Sequence, residues 1–238
     1  GISNTAIGYG ALFTNTSSGN NTANGYAALY NTTTGSNNTA NGNMALFSNT
    51  TGAYNTAIGH YALNKNTGDY NVAMGSDALS NNTSGYNNVA IGFSALNTNT
   101  TAEKNTAIGT YALKLNTTGS YNTAIGNEAL FSNTTGVENT ANGYQALFSN
   151  TTGDYNIANG VQSLYSNTTG ANNTANGYQA LYSNTTGTEN TAIGNGADVG
   201  SNNLTNATAI GNGATISASN AIQLGNSNVT LVQTSGTI

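Results

Sequence analysis

Asn173-Thr174-Ala175-Asn176-Gly177-Tyr178-Gln179-Ala180-Leu181-Tyr182-Ser183-Asn184-Thr185-Thr186-Gly187-Thr188-Glu189 is one unit of a pattern that fills the chain. Shifted by 17 residues, it aligns with residues 156–172 before it and 190–206 after it. The glycine that follows Asn-Thr-Ala-Ile/Asn marks the period. It recurs as Gly8, Gly25, Gly42 and Gly59, as Gly75 after a step of 16, then every 17 residues to Gly211, with Gly225 after a step of 14. The unit reads N-T-A-[I/N]-G-Y-x-A-L-[Y/F]-x-N-T-T-G-x-x. Self-similarity at a fixed short period marks a repeat architecture, in which a unit that cannot bury its own apolar face stacks on its neighbours.

Composition agrees with this reading. A chain of 238 residues carries a length prior of one or two ordinary domains. Charged residues, however, are 5% of the total, against roughly 25% in soluble domains. There is no Pro, Cys, Trp or Arg, and hydrophobic residues make up 37% at fixed places in the unit. The net charge is −5, and the only cations among side chains are Lys65, Lys104 and Lys114. That leaves no basic patch, so nucleic acid is not expected as a partner. No run of about 18 apolar residues is present to form a membrane-spanning helix. A chain without thiols forms no disulfides, and its scarcity of charge suits an exterior setting.

Each unit offers two short candidate strands. One is Asn4 to Ile7 with its copies, and the other lies near Ala11, Leu12 and Phe13. Each is followed by a glycine corner, Gly8 and Gly19 in the first copy. Runs of four or five residues with a period-2 pattern, bounded by Gly and Asn, read as strands joined by tight turns. Thr-Thr-Gly and Asn-Gly are expected to supply the positive φ of those turns. Thr101-Ala102-Glu103 replaces Thr-Thr-Gly once, so that corner accepts a Cβ. Helix is disfavoured, because apolar residues do not recur at 3 and 4 spacing and every unit carries Gly and Asn. The fold class is therefore all-β: a parallel β-solenoid, or β-roll, of about 13 coils. At the strand spacing of about 4.8 Å it forms a rod about 60 Å long.

In a solenoid, like residues of successive units stack into columns. Leu12 to Leu181 form one column, expected inside. Ala6 to Ala209 form another, expected where backbones approach closely. Asn and Thr ladders hydrogen-bond from coil to coil, whereas stacked like charges repel, which accounts for the low charge. Pro has no N–H to give a ladder. One column alternates between Ile (Ile7, Ile58, Ile91) and Asn (Asn24, Asn41, Asn142). It reads as a partly polar interior or an intersubunit seam. Its asparagines are expected either to form a simple hydrogen-bond ladder or to ring an ion or water between chains. Apolar surface beyond what one thin roll buries argues for a homo-oligomer.

No chemistry of catalysis emerges. His60 is the lone histidine and occupies a column filled elsewhere by Tyr9, Tyr26 and Tyr144. One His without Cys or clustered carboxylates makes neither a usual zinc site nor a hydrolytic triad. Asp69 and Asp77 fall near adjacent coils, but carboxylates are too sparse for a glycosidase pair. No catalytic, cofactor-binding or metal residue is nominated, no cofactor is expected, and the chain is read as not an enzyme. Asn-x-Thr matches such as Asn133-Thr134-Thr135 and Asn167-Thr168-Thr169 invite glycosylation in a host that glycosylates exported proteins. The aromatic column through Phe13, Tyr30 and Phe131 either packs in the core or a seam, or stacks sugars.

Asn206-Ala207-Thr208-Ala209-Ile210-Gly211-Asn212-Gly213-Ala214 and Ala221-Ile222-Gln223-Leu224-Gly225 resemble the head repeats of trimeric autotransporter adhesins, the YadA-like heads. The 14-residue step from Gly211 to Gly225 matches that family's common unit, while the uniform 17-residue units depart from it. Tyr178 to Gly187 is similar to repeats of phage tail-fibre shafts and bacterial surface fibres. Asn220 to Thr230 is similar to the segment leading into their C-terminal region. The resemblance divides the chain into tandem repeats at 1–194 and terminal YadA-like coils with a C-terminal segment at 195–238. It implies a left-handed roll assembled as a homotrimer, located outside the cell, on its surface or on a virion. The expected function is a structural fibre segment that supports attachment to a surface or host receptor. The alternatives are a filament subunit joined end to end, or a glycan- or ice-binding solenoid with Thr5, Thr22, Thr39 and Thr56 as the outward array.

Overall fold

The computed structural model describes residues 1–229. The last residue of the Asn220–Thr230 segment and the end of the 195–238 segment lie outside the described residues. Units are numbered here from the Asn before Thr-Ala, which is position 1, so coil 1 spans residues 4–20 and coil 14 starts at Ala221. Each of coils 1 to 12 contributes one three-residue strand, from β1 (Thr5–Ile7) to β12 (Thr191–Ile193). They continue without a break into β14 (Ala207–Ile210) and β16 (Ala221–Leu224), giving one 14-stranded parallel sheet in sequence order. The register steps one unit at a time: Ala6 pairs with Ala23, Ala107 with Ala124, and Ala192 with Ala209. Among the described residues there is no helix, and the chain is a parallel β-solenoid with a repeat of about 17 residues.

Only one of the two expected strands forms in coils 1 to 11. The Ala11-Leu12-Phe13 segment and its copies are turns. The column of Leu12 to Leu181 sits in the left-handed region, with φ between 49° and 54°. A strand points successive side chains to opposite faces, yet both Ala28 and Leu29, like Ala112 and Leu113, are fully buried. Adjacent inward residues demand a turn between them. A left-handed L-residue costs about 1–2 kcal/mol. The cost is offset because the Leu29 N–H donates to the Ala45 carbonyl at 3.0 Å, and the Leu29 carbonyl accepts from Thr32 N–H at 3.2 Å. Burying the leucine side chain contributes a further ~1.5–3 kcal/mol.

The glycines divide into two kinds. At position 5, Gly25 and its copies have φ near +140°, and a Cβ there would come 2.3–2.7 Å from the next glycine's oxygen. The glycine of Thr-Thr-Gly, at position 15, does not have positive φ, contrary to expectation. Position 17 supplies it through Asn37, Tyr54, Lys104 and Tyr121, with φ of 56–62°. Position 15 instead favours glycine because a Cβ on Gly119 would meet the Gly136 oxygen at 2.3 Å. The first copy differs from expectation too: Ser18, fully buried, occupies this column, and Gly19 lies one place beyond it. Ser18 and Ala102 fill the position where the neighbours accommodate a Cβ, so the glycine is replaced twice, and the segment that stands for Thr-Thr-Gly in coil 6 is Thr100-Thr101-Ala102, not Thr101-Ala102-Glu103.

The interior holds Ala from the strand, Ala-Leu from the turn and, on the third side, two columns of fully buried Asn. Buried amides are costly unless hydrogen-bonded, and these are. The position-1 Oδ1 accepts the backbone N–H of the next coil's Asn, as from Asn122 to Asn105 at 2.9 Å and from Asn139 to Asn122 at 2.9 Å. The position-12 Nδ2 donates to the Oδ1 one coil back, as from Asn133 to Asn116 at 2.8 Å and from Asn150 to Asn133 at 2.9 Å. Both columns also donate to the same inward carbonyl at position 15. Gly136 O accepts from Asn122 at 2.8 Å and from Asn133 at 2.9 Å, filling both lone pairs.

Candidate functional site

With the interior fully occupied by its own coils, the surface columns are the places available for function. In β2 to β12, positions 2 and 4 point outward while the Ala between them points in. The position-4 column is exposed: Ile58 36%, Met74 39%, Ile91 36%, Ile108 36% and Ile125 40%. This corrects the expectation of a partly polar interior, because alternation in a three-residue strand with an inward Ala forces both neighbours out. Asn24 donates to Asn41 at 3.4 Å and Asn142 to Asn159 at 3.2 Å, so the asparagines form short external ladders. Beside them run the threonines of position 2, replaced by Val72, Val89 and Ile157. No charged side chain occupies either column.

The aromatic columns lie outside the core. Phe13, Tyr30 and Phe47 stack at 5.0 and 5.3 Å, and Phe131, Phe148, Tyr165 and Tyr182 at 5.2–5.3 Å. Tyr9 stacks on Tyr26 and Tyr54 on Tyr70. Rings stacked along the rod bury their faces against one another and present edges outward. The Phe131 end of its stack is itself met edge-on by Tyr111 at 6.3 Å and by the Lys114 ammonium at 5.6 Å.

One local cluster carries charge. The Lys104 ammonium donates to the Tyr121 hydroxyl at 2.8 Å and lies 3.6 Å from Glu103. It also sits over the Tyr121 and Tyr86 rings at 4.7 and 5.9 Å. The hydroxyl of Tyr86, foremost, and that of Tyr121 hold the Glu103 carboxyl below its ordinary range. Glu103 in turn raises Tyr86, and the Tyr121 hydroxyl raises Lys104. Glu103 stands at a variable position, filled by Ser36, Ala53 or Val137 in other coils, and Lys104 at one filled by Asn37 or Tyr54; the cluster holds its charges by mutual neutralisation at the surface.

The other sequence candidates stay apart. His60 is exposed and packs edge-on against Tyr61 at 4.0 Å. Asp69 accepts from Ala53 N–H at 2.8 Å, while Asp77 accepts from the Ser76 hydroxyl at 3.0 Å, at a different corner of the coil. Asn133 and Asn167, the asparagines of the quoted glycosylation matches, are fully buried in the position-12 column. Their amides are committed to that column, so the folded chain does not offer them for glycosylation. Among the described residues no three His, Cys, Asp or Glu side chains come together as metal ligands, and no pocket indents the surface.

Sequence reasoning missed the two interior Asn columns. Their signal is invariance. Position 1 is Asn in coils 1 to 12, whereas the exposed Asn of position 4 exchanges freely with Ile. No protein-family model matches the chain, and no curated protein matches it.

Proposed function

We propose that the chain is a non-enzymatic structural segment of a trimeric fibre, an adhesin or a tail fibre. In that role it is a stiff spacer that holds an attachment surface away from a cell or virion. The observation that carries this reading is the outward apolar row Ile58, Met74, Ile91, Ile108 and Ile125 on five successive coils. A contiguous apolar strip free of charge is the kind of surface that soluble chains cover by association. The uninterrupted ladder of parallel strands supports a mechanical role, since stability in such rods is summed from neighbour to neighbour. The resemblance of residues 206–214 and 221–225 to adhesin heads supports the trimer and the exterior setting.

Sedimentation equilibrium tests it. The expected mass is about three times the 24.0 kDa of one chain. A stable monomer sinks the proposal, and large particles of mixed length favour the filament subunit instead.

A further inference from the structure

We infer that the alternation of Ile and Asn along the outward strand face sets the polarity and axial register in which copies of this chain pack. The inference rests on the self-association proposed above. Position 4 reads as bands along the rod. Asn24 and Asn41 make coils 2 and 3 polar, and Ile58 to Ile125 make coils 4 to 8 apolar. Asn142, Asn159 and Asn176 make coils 9 to 11 polar, and Ile193, Ile210 and Leu224 return the face to apolar. The occupant of the face is a second copy, because the banded strip is complementary to itself.

Parallel copies without stagger set every Asn against Asn and every apolar residue against another. Closed symmetry about an axis along the rod imposes this same arrangement on identical residues. A stagger of three coils sets every Asn that still faces a partner against an apolar residue, burying the amide groups that the ladder along the rod does not pair. The strongest competitor is antiparallel packing with coil 1 against coil 12. It mismatches only coils 4 and 9, but leaves coils 13 and 14 overhanging. The strip is about 10 Å wide and about 65 Å long, or about 650 Å² per copy. That approaches the roughly 800 Å² per partner of a standard stable interface.

The chain has no cysteine, so single thiols report position cleanly. Ala53 in coil 3 and Ala171 in coil 10 are half-buried beyond the strand face. Spin labels at Ala53→Cys or Ala171→Cys are expected to give one narrow dipolar distance within each assembly. A mixed assembly of the two is expected to give a longer one, reflecting an axial offset of about 34 Å. Antiparallel packing reverses this order and overturns the inference. The five-fold variant Asn24→Ile, Asn41→Ile, Asn142→Ile, Asn159→Ile, Asn176→Ile is expected to assemble with its narrow distance broadened. An unchanged narrow distance in that variant also overturns it, because the bands would then set nothing. A monomeric mass with no dipolar signal removes the underlying fibre reading and this inference together. An assembled protein with the wrong distances removes this inference alone.

Discussion

Coils 1 to 11 and the coils after Asn190 turn the same corner in different ways. In the body, Ala and Leu at positions 8 and 9 are both buried, and the leucine takes φ near 50°. In coils 12 and 13 the corresponding residues are Ala197-Asp198-Val199 and Ala214-Thr215-Ile216. There, Ala197 and Val199 are buried with Asp198 turned outward, and Ala214 and Ile216 are buried with Thr215 exposed. Alternation returns, and with it a true second strand: β13 (Asp198–Val199) pairs with β15 (Thr215–Ile216). The interior changes in step. The position-12 Asn column ends at Asn184, Ala207 stands where Asn stood, and Leu204, Val199 and Ile216 fill the space. Moving the large apolar residue by one place converts a left-handed turn braced by amides into a strand packed on aliphatic side chains.

The largest effect is expected at the glycine corner. Gly109 has φ 134°, and a Cβ would meet the Gly126 oxygen at 2.3 Å. Gly109→Ala is expected to destabilise the body by about 3 kcal/mol or more. Gly196, with φ 62° and nothing within 4 Å, tolerates alanine at about 1 kcal/mol. Thermal midpoints of the two variants separate these positions.

The turn and the strand are distinguished next. Leu113→Val places a β-branched residue in the left-handed region and empties part of the core, costing about 2–3 kcal/mol. Val199→Leu, within a strand, costs about 1 kcal/mol. Hydrogen exchange of the two variants is expected to accelerate around coil 7 in the first and to change little in the second.

A smaller gain is expected where the amide column breaks. Thr32 stands in for Asn in coil 2, and its Oγ1 is one of the two buried side-chain atoms without a partner among the described residues. Thr32→Asn supplies a second donor for Gly35 O and an acceptor for Asn49, and is expected to stabilise by about 1 kcal/mol. A urea midpoint that falls instead shows that the column is closed at that coil.

The smallest effect is electrostatic and confined to the second region. Burial pushes the Asp198 carboxyl up, opposed by the Ser183 hydroxyl and by the Val199 and Ser183 N–H groups. The folded state therefore takes up the proton before the unfolded chain does. Stability from this group is lowest above the folded pKa and rises as acidification passes down through it towards the unfolded value. Asp198→Asn is expected to flatten that dependence in coils 12 and 13 and leave the body unchanged, as read by hydrogen exchange at two pH values.

The period, the parallel stacking and the inward Ala and Leu columns were legible because a column must repeat its residue if each coil is to sit on the last. The second strand fails because the period-2 pattern read into Ala11-Leu12-Phe13 and its copies is not there: two adjacent residues both face inward. Ala28-Leu29 cannot both face inward from a strand, whereas Ala197-Asp198-Val199 can. The interior Asn columns were hidden by the habit of placing amides outside. They are set by the inward carbonyls of position 15, such as Gly136 O, and a carbonyl's direction is not written in any one residue. The candidate surface was legible as the Ile/Asn column, but its outward direction follows only from the three-residue strand that carries it.

Each Asn hands its successor the same acceptor that it received from its predecessor. A gene built this way can gain or lose whole multiples of seventeen codons and still encode a closed column, so rod length can drift in steps of one coil without any new invention. Coil 4 shows the penalty for a fractional step. One residue short, Asn66 bonds Gly68 O at 2.8 Å, and the Oδ1 of Asn49 one coil back is left without a donor. The column carries that miscount as one unpaired oxygen, and the fold passes over it.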